Sequence, residues 1–386
     1  MGCGHLPHQL KYEKEIYMAD TTIKKKPFLN YINVFRGLAI LLIIAGHTMQ
    51  FGNPTSLAHK INCEIVCGGT ALFIFISGFL FQYLSYKFEY KSYLKKKWTN
   101  VVMPYLLTSI PGIIFCLWLP QTYGNSFDGL NPLLQIPMFL TTGRIHNTPT
   151  WFILMIIMFF ICAKLLLTLE RKNILYKLLP LMFLVTIVCP RADVDYNSII
   201  NLSYTQKYLA CIWYILNGFI HFFALYVFGM FCSKYTEVIA KFYNNRLWLW
   251  VLMLGTAAAD VYLSYHNIYS SFTISKTFLT MLVLGYLEHY DNWFISKPKL
   301  NNGLDVIAKY SFGLFFVHWY WFFLYNQTFK LDKVIPVING DYVSVFGTVG
   351  LRFVAVSALS MLTLWGLKKL ILFINKDANT RMFLGV

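Results

Sequence analysis

Two ionisable side chains lie inside one apolar stretch, Tyr31 to Gly52 (YINVFRGLAILLIIAGHTMQFG). Arg36 and His47 are eleven residues apart, close to three full helical turns. A helix therefore puts both on one face, about 16 Å apart along its axis. Histidine is the usual side chain to take up or deliver a proton near neutral pH. A guanidinium holds phosphate or carboxylate oxygens through paired hydrogen bonds. Each residue is costly inside a hydrophobic span and marks a candidate site. Taken singly, Arg36 also reads as an anchor snorkelling to the membrane surface, and His47 as a helix-packing contact. On one stripe of one helix, the pair favours a working site.

The rest of the chain has to build a membrane body around that helix. Its 386 residues are 57% hydrophobic and only 13% charged, with mean hydropathy +0.53, where soluble domains carry about 25% charge. The fold class expected is all-α, a polytopic membrane protein of about ten transmembrane helices. They fall at roughly 33–52, 65–86, 99–119, 150–169, 174–190, 208–232, 246–265, 272–290, 306–325 and 343–373, each near the length that crosses a bilayer. Between the third and fourth, Leu130 to Leu140 is apolar but too short to cross, and reads as re-entrant or interfacial.

Lysine and arginine orient these spans. With the N-terminus inside, 23 of the 33 fall on inner segments, seven on outer loops and three within helices, as the positive-inside rule requires. Both termini are then cytoplasmic, and the expected location is the cell (inner) membrane. The net charge of +16 is explained by basic side chains lining an anionic lipid surface. Membrane lipids are thus expected partners, and no nucleic acid is needed. The expected organisation is a polar segment over 1–30, a membrane domain over 31–375 and a cytoplasmic tail over 376–386. The polar leader lacks the short apolar core of a cleaved signal. Its Cys3, His5 and His8 read as part of a disordered segment, and Met18 as an alternative start. Eight cysteines are scattered singly, except for Cys63 and Cys67. No four-ligand zinc spacing appears, so free thiols and no metal are expected.

Further landmarks follow in order. Leu72 to Leu80 reads LFIFISGFL. Lys95, Lys96 and Lys97 precede Met103-Pro104-Tyr105. Pro149 to Ile153 reads PTWFI, and Ser311 to His318 reads SFGLFFVH. Together with RGLAILLIIAGH (Arg36 to His47), this set resembles the acyltransferase-3 family of integral membrane O-acyltransferases over about residues 31 to 373. The flavour is that of stand-alone sugar O-acetyltransferases similar to fucose 4-O-acetylases. The resemblance implies transfer of an acyl group, usually acetyl, from cytoplasmic acyl-CoA to a hydroxyl of a saccharide, such as a lipid-linked glycan or surface polysaccharide. Acetyl-CoA is then a co-substrate, with no permanently bound cofactor, and His47 is the catalytic residue. Two positions depart from the family pattern: Asn33 stands where an aspartate is common, and Asn100 where an arginine is common.

The chemistry fits the residues independently. Thioester-to-alcohol transfer needs a base or a nucleophile that carries the acyl group, either of which His47 can be, and a hold on the CoA phosphates, supplied by Arg36 with Lys95, Lys96 and Lys97. His318, at a helical depth similar to that of His47, is a second catalytic candidate against a packing reading. Trp151 can stack on a sugar or sit in an interfacial aromatic belt. Ser77 reads as a packing residue, Glu64 as a solvated loop carboxylate and Lys164 as a snorkelling lysine. Arg352 reads as reaching the outer interface or pairing with Asp341. His221 and Asp260 lie in or near the membrane without an assigned part. Two other classes remain open, a small-molecule or polysaccharide-unit transporter and a catalytically dead membrane scaffold. Against the first, no internal repeat and few intramembrane acids are present.

Overall fold

The structure, a computed structural model, describes residues 26–145, 149–191, 199, 201–268 and 271–386. Cys3, His5, His8, Met18, Lys24 and Lys25 lie outside them. The described chain is helical, with no strand among the described residues. Seven helices are long and apolar enough to cross a membrane, and Leu175–Val188 is a shorter apolar one. The two remaining expected spans are also helices, Thr273–His289 and Pro298–Phe329. The protein is therefore an all-α polytopic membrane protein.

Helix α1 (Asn30–Thr48) is the axis of the bundle. Ile32, Val34, Phe35, Ala39, Ile40 and Ile44 are all buried, and at 100° per residue these positions point in every direction. A helix apolar all round belongs inside other helices. Here α2 (Leu57–Val66), α3 (Gly69–Tyr83), α11 (Thr273–His289), α12 (Pro298–Phe329) and α13 (Tyr342–Ile374) surround it. Between α3 and α11 the chain forms α4 (Tyr90–Lys97), α5 (Met103–Trp118), α6 (Pro132–Thr142), α7 (Trp151–Arg171), α8 (Leu179–Val188), α9 (Tyr204–Lys234) and α10 (Arg246–Tyr265). A π-helical turn at Trp98–Val102 joins α4 to α5. The apolar piece expected between the third and fourth spans is α6, capped by the Asn131 side chain on the Leu133 amide.

The second expected span is broken. Gly68 takes φ +89° between α2 and α3, a left-handed conformation that glycine adopts without steric cost. The aliphatic stem of Lys276 occupies the space where a side chain would stand. The break turns α2 outward and lets α3 pack beside α1.

Helices α1 and α12 run parallel at nearly constant offset. Asn33 Nδ2 donates to Asp305 Oδ1 at 2.9 Å, and Arg36 Nη2 donates to the Ala308 carbonyl at 3.1 Å. Further along, the His47 and His318 rings meet. Parallel packing suits the first and ninth of an alternating series of spans. Gly37 permits the approach, because a Cβ there would lie 2.9 Å from the Leu304 carbonyl oxygen. Helices α3 and α9 come closer still. A Cβ on Gly78 would sit 2.0 Å from the Tyr226 carbonyl oxygen, and one on Gly229 would sit 2.2 Å from that of Phe75. Small residues at such crossings let backbones touch where no hydrophobic effect drives helices together.

Gly78→Ala or Gly229→Ala should therefore force α3 and α9 apart at a cost of about 1–3 kcal/mol. Thermal unfolding of the purified protein in detergent should show a lower midpoint for either variant. A Gly303→Ala control, where a Cβ meets nothing within 4 Å, should melt like the parent. Equal midpoints for all three would mean that the crossing does not hold the bundle.

Candidate active site

The parallel register of α1 and α12 brings His47 and His318 together. Their ring centroids are 5.4 Å apart, and Trp319 meets His47 edge-on at 5.0 Å. Two helical turns separate Ser311 from His318 on α12, and three separate Arg36 from His47 on α1. Both ends of the two stripes therefore face each other: Arg36 Nη2 lies 3.3 Å from Ser311 Oγ. His318 is fully buried. Its Nδ1 lies 2.8 Å from the Leu314 carbonyl, which can only accept, so Nδ1 carries the hydrogen. In the neutral ring Nε2 then holds a lone pair, and this atom is buried without a partner. An orphaned buried acceptor is expensive to keep. Its position beside His47 makes it a candidate for accepting a proton or hydrogen bond during chemistry.

A cavity of about 390 Å³ opens at the Arg36 end. Arg36, Lys87, Lys96, Lys97 and Arg381 give it five positive charges against one acid, Glu89, and Asn100, Ser77, Phe152 and Ile156 line it too. Lys97 packs its ammonium over Phe160 at 4.4 Å and over Tyr93 at 5.3 Å. Lys95 does not line this cavity; it is exposed. The reason is geometric, since three consecutive helical residues point 100° apart and cannot all face one space. Asn100, where the resemblance led arginine to be expected, does face the cavity. Arg381 adds a cation that sequence reasoning assigned to a free tail. The tail instead folds into a short helix, Thr380–Leu384, and closes with a hydrogen bond from Thr380 Oγ1 to the Val386 carbonyl at 2.6 Å. Gly313 on α12 makes room for it, since a Cβ there would meet the Leu384 carbonyl at 2.8 Å. The other departure, Asn33, is used to hold Asp305, which also pairs with Lys309 at 2.6 Å.

A second cavity, about 630 Å³, opens from the opposite end and is lined by His47 itself. Phe152 lines both cavities, and its ring lies 5.2 Å from that of Phe315. The two rings thus form the partition between the basic cavity and the histidine cavity. Trp151, at the start of α7, lines the second cavity. The Arg191 guanidinium sits 4.3 Å above its ring and donates to the Tyr214 hydroxyl at 2.8 Å. Tyr214 meets Trp151 edge-on at 5.2 Å. Arg191, Tyr214 and Lys333 were not singled out by sequence reasoning, which read the two cations only as outer-loop charge.

Arg352 fixes the outer rim of this cavity. Its side chain is completely buried in α13, not at an interface, and it does not pair with Asp341. Asp341 is occupied in capping α13 at the Ser344 amide, 3.0 Å away. The Arg352 guanidinium donates to the carbonyls of Thr48 (2.7 Å), Asp332 (2.9 Å), Lys333 (3.2 Å) and Gln50 (3.4 Å), and to Asn326 Oδ1 (3.3 Å). All five of its donor hydrogens are therefore used. The end of α1, the loop bearing Lys333 and helix α12 are tied to one side chain. A short bridge between Phe51 and Ile335 continues the tie, with the Gly52 amide on the Ile335 carbonyl at 2.7 Å.

Other polar residues turn out to be structural. Glu64 is buried, not solvated. Ser275 Oγ donates to it at 2.5 Å and Lys276 pairs with it at 3.2 Å, which ties α2 to α11. His221 is fully buried and bonded on both nitrogens, to the Cys189 carbonyl at 3.0 Å and Thr273 Oγ1 at 2.6 Å. Asp260 accepts from the Ser271 amide at 2.6 Å. Ser77 returns its hydroxyl to the Phe73 carbonyl at 2.8 Å while lining the basic cavity. Cys63 and Cys67 are free thiols.

Residues 29–368 match the family described as an acyltransferase domain. The chain therefore belongs to that family and is a membrane acyltransferase. No curated protein and no solved structure matches it.

The bracket around Arg352 yields a stability prediction. Arg352→Ala strands buried carbonyls that each cost about 1–3 kcal/mol when unpaired. The variant should lose at least about 3 kcal/mol, and hydrogen exchange should quicken at the Gly52 and Ile335 amides. Arg352→Lys, with three donors on a flexible stem, should fall between. Parent-like exchange at both amides in Arg352→Ala would refute the bracket.

Proposed function

We propose that this membrane acyltransferase moves an acyl group, acetyl first among them, from acyl-CoA to a hydroxyl of a saccharide, with His47 as the catalytic base. The observation that supports this most is a basic cavity at one end of the bundle and a cavity lined by His47 at the other, with Phe152 common to both. The basic end would face the cytoplasm, where the excess of lysine and arginine is expected, and the membrane would be that of the cell. Arg36, Lys96, Lys97 and Arg381 would take the phosphates of CoA, using charge-assisted hydrogen bonds. The pantetheine arm would extend along α1 past Phe152, over the roughly 16 Å that eleven helical residues span, and present the thioester to His47.

The acceptor, a lipid-linked sugar or a unit of a surface polysaccharide, would enter the second cavity and pack against Trp151. His47 takes the hydroxyl proton as the oxygen attacks the thioester carbon. The C–O bond forms and the C–S bond breaks. The leaving thiolate recovers the proton from the imidazolium, and the enzyme returns to its starting state. His318, held by the Leu314 carbonyl, offers its Nε2 lone pair to the His47 ring or to the incoming hydroxyl, and so orients one or the other. This division of labour asks of each histidine only what a neutral imidazole supplies.

The test is transfer of label from acetyl-CoA to glycan by the purified protein. His47→Ala should lower kcat by about 10²–10⁴-fold, the range for loss of a general base. Lys96→Gln and Arg381→Gln should instead raise the KM for acetyl-CoA, with an effect that shrinks as salt screens the charges. Near-parental turnover by His47→Ala would overturn the mechanism. Flux of a solute with no label transfer would favour a transporter.

A further inference from the structure

The histidine cavity carries a chemical preference of its own. Neutral sugars present hydroxyl groups that need acceptors as well as donors, yet among the described residues no Asp or Glu lines this cavity. Two cations do, Arg191 and Lys333, and among the described residues neither takes part in an ion pair. Two buried acids are committed elsewhere, Glu64 to Lys276 and Ser275, and Asp260 to the Ser271 amide. The two cations are also held in place. Arg191 is stacked on Trp151 at 4.3 Å and anchored by the Tyr214 hydroxyl at 2.8 Å through one terminal nitrogen, which leaves its other donors for a ligand. Lys333 follows Asp332 in the loop that Arg352 pins by both carbonyls, and its ammonium stands 5.7 Å from the Trp319 ring centroid. Trp319 in turn touches His47. A fixed guanidinium and an exposed ammonium therefore stand in the cavity of the His47 imidazole with no ion-pair partner among the described residues.

Resting on the acyl-transfer reading, we infer that the acceptor is an anionic saccharide, whose carboxylate or phosphate binds between Arg191 and Lys333 and so aims a neighbouring hydroxyl at His47. The guanidinium fork suits either anion. An anion fixed by two cations would also select against neutral sugars, because an uncharged acceptor forgoes both charge-assisted contacts.

The experiment uses the full-length protein in lipid nanodiscs with labelled acetyl-CoA and three acceptors: methyl glucoside, methyl glucuronoside and glucose 1-phosphate. Transfer to at least one anionic acceptor should exceed that to methyl glucoside by about tenfold or more in kcat/KM, the equivalent of one lost charge-assisted contact. The better of the two anionic acceptors identifies carboxylate or phosphate. Lys333→Gln and Arg191→Gln should raise KM for the anionic acceptor about tenfold with kcat little changed and leave KM for methyl glucoside alone, and Arg191→Lys should recover part of the loss. Equal use of neutral and anionic acceptors would overturn the inference while leaving acyl transfer intact. So would variants that lower kcat alike for all three, which would place the cations on the reacting carbonyl. If no acceptor is modified, acyl transfer to sugars is in question, and equilibrium binding of labelled glucuronoside and glucose 1-phosphate decides the anion site separately. Saturable binding lost in Arg191→Gln upholds it, and absence of binding to both overturns it.

Discussion

A single buried guanidinium sets the geometry on which the candidate site depends. Arg352 has no acid partner among the described residues. It spends its five donors on four backbone carbonyls and one amide oxygen. Those acceptors belong to the end of α1 just past His47, to the helix that carries His318 and to the loop that carries Lys333. A carboxylate partner would have satisfied the charge more locally. Carbonyl acceptors instead make the charge a joint between three separate parts of the chain. The arrangement survives burial because every hydrogen is used, which is the condition for keeping a charged group away from water. It follows that the depth of His47 relative to His318 is set from the rim of the cavity as well as by packing along α1.

The remainder of the bundle leaves two cavities, one basic and one lined by His47. Close backbone crossings at Gly37, Gly78 and Gly229 draw α1, α3, α9 and α12 tightly together, leaving little free space except at the two ends. One end is basic and the other is aromatic and cationic, and Phe152 with Phe315 stands between them. For transfer between a large polar donor and a polar acceptor this separation has a physical use. On the proposed reading each substrate would bring its own polar part only as far as its own side, and only the reacting atoms would have to meet in the dry interior, where electrostatic interactions are strongest.

Much of this was legible in the chain. The spacing of Arg36 and His47 already put them on one face, and the apolar lengths already implied a polytopic helical body. His318 could be placed at a similar depth from helical rise alone, but its contact with His47 depends on the parallel register of α1 and α12, which no local pattern encodes. Lys95, Lys96 and Lys97 looked equivalent as a run of charge, and only the helix phase separates them. Arg381, Arg191 and Lys333 were invisible as site residues because each lies in a segment that reads as tail or loop, where charge is ordinary. Arg352 and Glu64 were misread for a shared reason. A charge in a hydrophobic sequence can be reconciled either by reaching the surface or by finding partners distant in sequence, and the second route leaves no local trace. Asn33 and Asn100 show the complement: a missing charge can be made up by residues far along the chain, here Asp305 beside Asn33 and Arg381 in the cavity of Asn100.

The central claim is that donor and acceptor reach the histidine pair from opposite ends. A cryo-EM structure of the protein with a non-hydrolysable acetyl-CoA analogue tests it most directly. The account predicts nucleotide phosphates against Arg36, Lys96, Lys97 and Arg381, an arm running past Phe152, and the acyl carbonyl beside the His47 ring with room between them for the acceptor hydroxyl whose proton His47 takes. An analogue bound in the cavity of Trp151 and Arg191, or one whose acyl group ends at the basic mouth short of Phe152, would contradict it.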